Sequence, residues 1–221
     1  MRQSELFAPE KGHIGTDESG KGDYFGPLVV AGVFVPEEQE NVLKELGVKD
    51  SKRFSDNRVK EFARLIKQGY KHSVVVIGPQ RYNELYTKLR NLNKILAWAH
   101  SRAIENILEE VRCTRAITDQ FGDKLFVLNA LMKKGKNIEL IQRPKAEEDM
   151  AVAAASILAR AEFLNRLHYL SQEVEVDLPK GSSSLSEEVG VKLVRRHGDG
   201  VLERVAKRHF KLTQRILSVK D

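Results

Sequence analysis

A mixed α/β fold, with a central sheet flanked by helices and a helical subdomain at the C-terminus, is what the order of hydrophobic patterns in this sequence predicts. Five short runs rich in β-branched and apolar residues all lie before residue 143. Apolar spacing of three and four residues marks helices between them, and beyond residue 170 only helical, basic segments remain.

Each element follows from local chemistry. HIGTDES (13–19) and PLVVAGVFV (27–35) read as strands, and the Gly-rich GKGDYFG between them suits a connection longer than a tight hairpin. EEQENVLKELG is a short helix ending at Gly47. The polar link VKDSKRFSD leads to Ser55 and Asp56, which can start the helix NRVKEFARLIKQG, stopped by Gly69. YKHSVVVIG is a third strand, closed by Gly78 and Pro79. Leu89, Leu92, Leu96, Ala99, Ala103, Ile107 and Val111 mark a long amphipathic helix through residues 93–111. TRAITDQF is a fourth strand, KLFVLNALMKKG a helix and NIELIQ a fifth strand. The small-residue segment AVAAASILARAEFLNRLHYL then predicts a helix, and the remainder, SEEVGVKLVRRHG and GVLERVAKRHFKLTQRIL, reads as basic and helical. The short LPKGSSS patch reads as a turn.

Composition narrows the function. With 41% hydrophobic and 31% charged residues over 221 positions, one main core beneath an ionised surface is expected. The 37 Lys and Arg against 31 Asp and Glu give +6, which favours a polyanionic partner. The single cysteine, Cys113, excludes an intramolecular disulfide and a cysteine zinc cage, and fits a reducing cytoplasm. The most apolar stretch, residues 150–159, is far short of the roughly 20 residues that a membrane span requires, and MRQSELFAPEKG has no apolar signal core. A cytoplasmic monomer with no membrane association and no evident protein partner is expected.

The acids are notable for where they fall. Asp17 and Glu18 close the first predicted strand, Asp119 the fourth, and Glu147, Glu148 and Asp149 precede a helix. If these ends converge on one sheet edge, oxygen donors without His or Cys suit Mg2+ or Mn2+. Two such ions about 3.5–4 Å apart are the arrangement that cleaves phosphodiesters. Side chains alternate along a strand, so Asp17 and Glu18 cannot both face one ion on a regular strand. A bend eased by Gly15 and Gly20, or use of the Glu18 backbone carbonyl, is therefore expected. Spacing alone leaves another reading open for every acid: a solvated strand end for Asp17, Glu18 and Asp119, and first-turn charges on a helix dipole for 147–149.

Gly20 and Gly22 let the backbone flanking Lys21 approach phosphate or sugar oxygens closely, although a GxG is as readily a plain turn. Tyr24 is equally open to stacking on a sugar or base and to burial, whereas Phe25 reads as core. Ser51 and Lys52, beside Asp50, can hold a phosphate. Arg195, Arg196, His197, Lys207, Arg208, His209 and Lys211 give the tail a basic face that is either solvated or a groove for a nucleic-acid backbone. His13 and His100 read as ordinary side chains.

Taken in order, GTDESGKGDYFGPLVV, LGVKDSKRFS, ITDQF, PKAEEDMAVAAASILAR and LPKGSSS resemble bacterial ribonuclease HIII, of the type 2 ribonuclease H group, over nearly the whole chain. Lys21 stands where the sister family, ribonuclease HII, usually has Arg. The resemblance implies a ribonuclease H-like catalytic core over residues 1–170, with a C-terminal helical extension over 171–221 packed on it. It also implies Mg2+- or Mn2+-dependent cleavage of the RNA strand of RNA/DNA hybrids, leaving 5′-phosphate and 3′-hydroxyl ends. Asp17, Glu18 and Asp119 are then the metal ligands, and Gly20, Lys21 and Gly22 the loop on the RNA backbone and its 2′-hydroxyls. The fourth family carboxylate follows a KA dipeptide, which selects Glu147. The stretch from there to AAASI is one residue shorter than the family pattern, which leaves Asp149 as substitute. The family commonly carries an N-terminal substrate-binding domain resembling TATA-binding protein. This sequence begins almost directly at the catalytic domain, so a fragment or a member without that domain is expected. Two rival readings remain: nicking at single ribonucleotides in DNA, as in ribonuclease HII, and a non-catalytic nucleic-acid-binding module.

Overall fold

The computed structural model describes residues 9–48, 54–131 and 134–219. The chain divides into two compact units, one of residues 1–18, 30–75 and 93–161, the other of residues 19–29, 76–92 and 162–221.

The first unit is built on a five-stranded mixed sheet of order β3-β2-β1-β4-β5. Its strands are β1 (Gly12–Ser19), β2 (Leu28–Pro36), β3 (His72–Ile77), β4 (Arg115–Asp119) and β5 (Glu139–Arg143). β2 is buried from Leu28 to Val35, as an apolar strand inside a sheet must be. β1 runs parallel to β4 with Thr16 opposite Thr118, and β4 parallel to β5 with Asp119 opposite Arg143. Parallel pairing brings the carboxyl ends of β1 and β4 side by side, and these ends carry the acids.

Alternation along the strands sorts the helices onto two faces. Ile14, Ala116 and Leu140 pack with Ala97, Ile104 and Ile107 of α4 (Leu92–Leu108) and with Val127 of α5 (Lys124–Ala130). Ile117 on the opposite face packs with Ala146 and with Val152 of α6 (Met150–Val174). α6 lies directly on β1: a Cβ added at Gly15 would stand 2.1 Å from the Ala151 carbonyl carbon and the Val152 nitrogen. Gly15 therefore serves close helix approach, whereas the sequence reading had assigned it to a bend. β1 stays regular through Ser19. Two further helices are α1 (Glu40–Glu45) and α2 (Asp56–Gly69). As expected, α2 is capped by Ser55, whose hydroxyl accepts the Arg58 N–H at 3.3 Å.

The second unit contains α3 (Pro79–Leu89), the later half of α6, α7 (Ser184–His197), α8 (Val201–Val205) and α9 (Lys211–Ser218). The expected boundary at residue 170 differs from this division, because the connection from Ser19 to Val29 belongs with the C-terminal segments. Backbone bonds tie it there: Tyr24 N–H to Gly181 O at 2.9 Å, Gly26 N–H to Val205 O at 2.9 Å and Lys207 N–H to Tyr24 O at 2.9 Å. The expected C-terminal helices are present, and the same bonding divides the last stretch. Ala206 pairs antiparallel with Phe25, so the chain breaks between α8 and α9. Helix α3 lacked a strong apolar stripe in the sequence, yet Pro79 starts it and Tyr82 and Asn83 are buried. Among the described residues, no helix is long and apolar enough to cross a membrane.

Replacing Gly15 with Ala forces a methyl group into the α6 backbone and should destabilise the protein by about 3 kcal/mol. That is a fall of roughly 10 °C in midpoint for a chain of this size, measurable by thermal denaturation. A fall below about 2 °C would mean that α6 does not rest on β1 in this way.

Candidate active site

Odd-numbered residues of β1 face α6 and even-numbered ones face α4, so the two adjacent acids part company. Asp17 points to the α6 side with Gly15 and takes a hydrogen bond from the Ser156 hydroxyl of α6. Glu18 points to the α4 side, where its Oε2 lies 3.3 Å from His100 Nε2. Asp119 shares the α6 face with Ile117. Asp17 and Asp119 therefore share one face of the sheet, while Glu18, on the other, still raises Asp17 more than Asp119 does.

Asp17 is only partly exposed. Burial pushes its carboxyl up most, and repulsion from Glu18 and, less strongly, Asp119 adds to this. The Glu18 N–H at 2.8 Å and the Ser156 hydroxyl pull the other way, and the result is a pKa of about 7. Asp119 Oδ1 accepts the Ala146 N–H at 3.1 Å. This bond places the single turn Ala146–Glu148, and thus Glu147, beside Asp119. Lys145 enters that turn in the left-handed region, at φ 55°.

Asp149 is occupied differently. Both its oxygens lie 2.8 Å from His13 Nε2, and Oδ1 also accepts the N–H groups of Ala151 and Val152 at 3.0 and 3.2 Å. Burial raises its pKa, but the hydrogen bond and charge of His13 and the two amides outweigh it and hold the group below the usual carboxylate range. Asp149 thus caps α6. Glu147 is partly exposed.

Sequence reasoning missed two side chains here. His100, fully buried, is held by Thr16 Oγ1 at 2.8 Å and Thr118 Oγ1 at 3.4 Å, and stacks on Phe121 at 4.8 Å. With an Nε2–H tautomer it donates to Glu18 and accepts from a threonine hydroxyl. Ser156 lay inside a run that read as helix core. Its one polar group among small apolar neighbours was the available signal.

Among the described residues, no three Asp, Glu, His or Cys side chains stand close enough to enclose a cation as they lie. The reason is visible in their partners: Glu18 turns to His100, and Asp119 is held by an amide. The donors at the Asp17–Asp119 edge are all carboxylate oxygens. That chemistry fits a hard dication.

In the second unit, Gly20 has φ +89° and lies so close to the Pro27 carbonyl that a Cβ would stand 2.2 Å from it. Lys21 is partly exposed, and nothing lies within 4 Å of a Cβ built on Gly22. Tyr24 corrects the stacking expectation. It is fully buried, its hydroxyl 3.1 Å from Thr213 Oγ1, and it packs edge-on against Phe25 and Phe210. Ser51 and Lys52 lie outside the described residues. The basic tail is partly neutralised: Arg196 pairs with Glu175, Arg208 with Glu203 at 2.8 Å and Arg215 with Glu187 at 2.9 Å. Lys207 leaves the surface altogether.

The profile of the family described as Ribonuclease HII matches residues 14–213. Ribonuclease HIII of Protochlamydia amoebophila is 47% identical over 205 residues, covering 93% of this chain and 68% of that protein. The crystal structure of Bst-RNase HIII in complex with Mn2+ superposes with a TM-score of 0.88 at 32% identity, over 98% of this chain and 72% of that one. Aquifex aeolicus RNase H3 matches with a TM-score of 0.75 at 33% identity, over 94% and 75%. Sheet order, paired acids and these likenesses agree, and the chain belongs to the ribonuclease HII family of ribonuclease H enzymes, on the side of its ribonuclease HIII relatives.

Proposed function

We propose that this protein is a Mg2+- or Mn2+-dependent endonuclease that hydrolyses the RNA strand of RNA/DNA hybrids. The observation that carries the reading is the meeting of Asp17 and Asp119 at adjacent strand ends, where burial first, then repulsion from Glu18 and, least, from Asp119, raises Asp17 to about 7. A bound dication relieves that repulsion. The relatives named ribonuclease HIII, one of them crystallised with Mn2+, support the same assignment.

Asp17 and Asp119 would hold the metal most directly, with Glu18, bonded to His100, as the further ligand. When bound, the metal supplies positive charge against the scissile phosphate and a more acidic attacking water. Water attacks phosphorus, the P–O3′ bond breaks, and the 3′ oxygen gains a proton, which leaves 3′-hydroxyl and 5′-phosphate ends. The chain's own part is positioning. Glu147, beside Asp119, orients the water. The amides and ammonium of Gly20, Lys21 and Gly22 meet the RNA strand, where the 2′-hydroxyls distinguish it from DNA.

Asp17→Asn should lower turnover of a labelled hybrid by about 10³-fold or more while hybrid affinity stays within about threefold. Full cleavage by that variant overturns the scheme, and absence of cleavage by the wild type with either metal moves the protein to the non-catalytic class. The family profile also favours comparing a continuous hybrid with a duplex carrying one ribonucleotide. Strong preference for the latter would make the specificity ribonuclease HII-like.

The raised pKa of Asp17 gives a stability signature. Its folded value, about 7, exceeds the ordinary 3.8, so its contribution is fully present below pH about 4 and is lost as pH climbs through 7. In chelator, Asp17→Asn should therefore be more stable than the wild type at pH 8, by up to about 4 kcal/mol, and gain nothing near pH 4. Urea denaturation at the two pH values measures this, and Mn2+ at pH 8 should raise the wild-type midpoint more than the variant's.

The choice of fourth carboxylate separates in the same way. Glu147→Gln should cut kcat and leave the melting temperature unchanged. Asp149→Ala should cost about 1–2 kcal/mol of stability through the lost cap and spare most of kcat. The reverse pattern would transfer the role to Asp149.

A further inference from the structure

Lys207 is a fully buried lysine that none of the chemistry above uses. Its Nζ lies 2.6 Å from the Gly26 carbonyl and 3.4 Å from the carbonyls of both Phe25 and Pro27. Three successive carbonyl oxygens aimed at one point repel one another, and an ammonium with three N–H donors is the side chain that reconciles them. Burial pushes the lysine down, to about 7, while the nearby Asp23 carboxylate acts to keep it charged.

What Lys207 holds is the stem of the glycine loop. The Pro27 carbonyl that it reaches is the one packed against Gly20, and the Asp23 N–H closes the turn around Lys21 and Gly22 by bonding Gly20 O at 3.3 Å. Asp23 is itself fixed, its Oδ1 accepting the Gly181 N–H at 2.6 Å. Lys207 is anchored in turn from α3. The Asn83 side chain donates to Ala206 O at 3.0 Å and accepts the Arg208 N–H at 3.0 Å, gripping the backbone on either side of it. Within this unit the path from Gly20–Gly22 through Asp23 ends at Gly181 and the path through Pro27 ends at Lys207, and the ammonium is the fixed point that a single atom controls.

We infer that Lys207 is a positioning residue for substrate binding: by gathering the carbonyls of Phe25, Gly26 and Pro27 it sets the path of the Gly20–Gly22 loop that meets the RNA strand. The inference rests on the proposed reading of that loop as the strand's contact, and its test keeps the two apart.

Steady-state cleavage of a hybrid with a fluorescently labelled RNA strand is compared across wild type, Lys207→Arg, Lys207→Gln and Lys207→Met, with Lys21→Ala as the control on the loop. Removing the charged donor should raise KM about tenfold with kcat within about twofold, in the order Met above Gln above Arg, with Arg nearest the wild type. A lysine that only stabilises the fold would behave otherwise: the active fraction, and so apparent kcat, would fall while KM stayed constant. That outcome overturns the inference, as does a Lys207→Gln enzyme with wild-type KM. Should Lys207→Met fail to fold, the Gln-to-Arg contrast decides alone. If Lys21→Ala also leaves KM unchanged, the reading of the loop fails. If Lys21→Ala raises KM and the Lys207 variants do not, the loop reading stands and the positioning role falls.

Discussion

The approach of α6 to β1 without an intervening side chain is the constraint on which the site depends. Because Gly15 admits the backbone of Ala151 and Val152, the first turn of α6 lies against the strand that carries Asp17. Three consequences follow from that one contact. Asp149 reaches His13 and caps the helix, the turn holding Glu147 is drawn to Asp119, and Ser156 comes within reach of Asp17. A bulkier residue at position 15 would lift the helix and separate all three.

Electrostatics then divides labour among like residues. Six carboxyl groups lie near the strand ends or before α6, yet their surroundings differ. Asp149, surrounded by an imidazole and two amides, is held ionised for structure. Asp17, desolvated next to other acids, is the group whose charge is resisted. A perturbed acid at a sheet's carboxyl edge marks chemistry more reliably than a count of acids does.

How much was legible in the sequence follows from the range of each interaction. The five strands announced themselves through β-branched runs, and Ser55, Gly69 and Pro79 are local signals of helix ends. Asp17, Glu18 and Asp119 were legible as candidates because they stand at strand ends, and the motifs around them carried the family resemblance. Contacts distant along the chain were not legible. No local pattern told that Ala206 would pair with Phe25, so the break between α8 and α9 was not legible. The same distance hid Lys207, which reads as one more surface cation until residues 25–27 are folded against it. His100 looked ordinary for the same reason, since Thr16, Glu18 and Thr118 reach it only after the sheet has formed. Tyr24 had no local sign to separate a stacking face from a buried ring, and Thr213 decides it.

The parallel match of Thr16 with Thr118 has an evolutionary corollary. One residue added or lost between Ile14 and Asp17, or between Ala116 and Asp119, would turn an acid through the sheet and strand it on the wrong side. Length in these two short stretches is thus constrained more tightly than identity at most of their positions, whereas a residue inserted in a connection outside them leaves the register untouched.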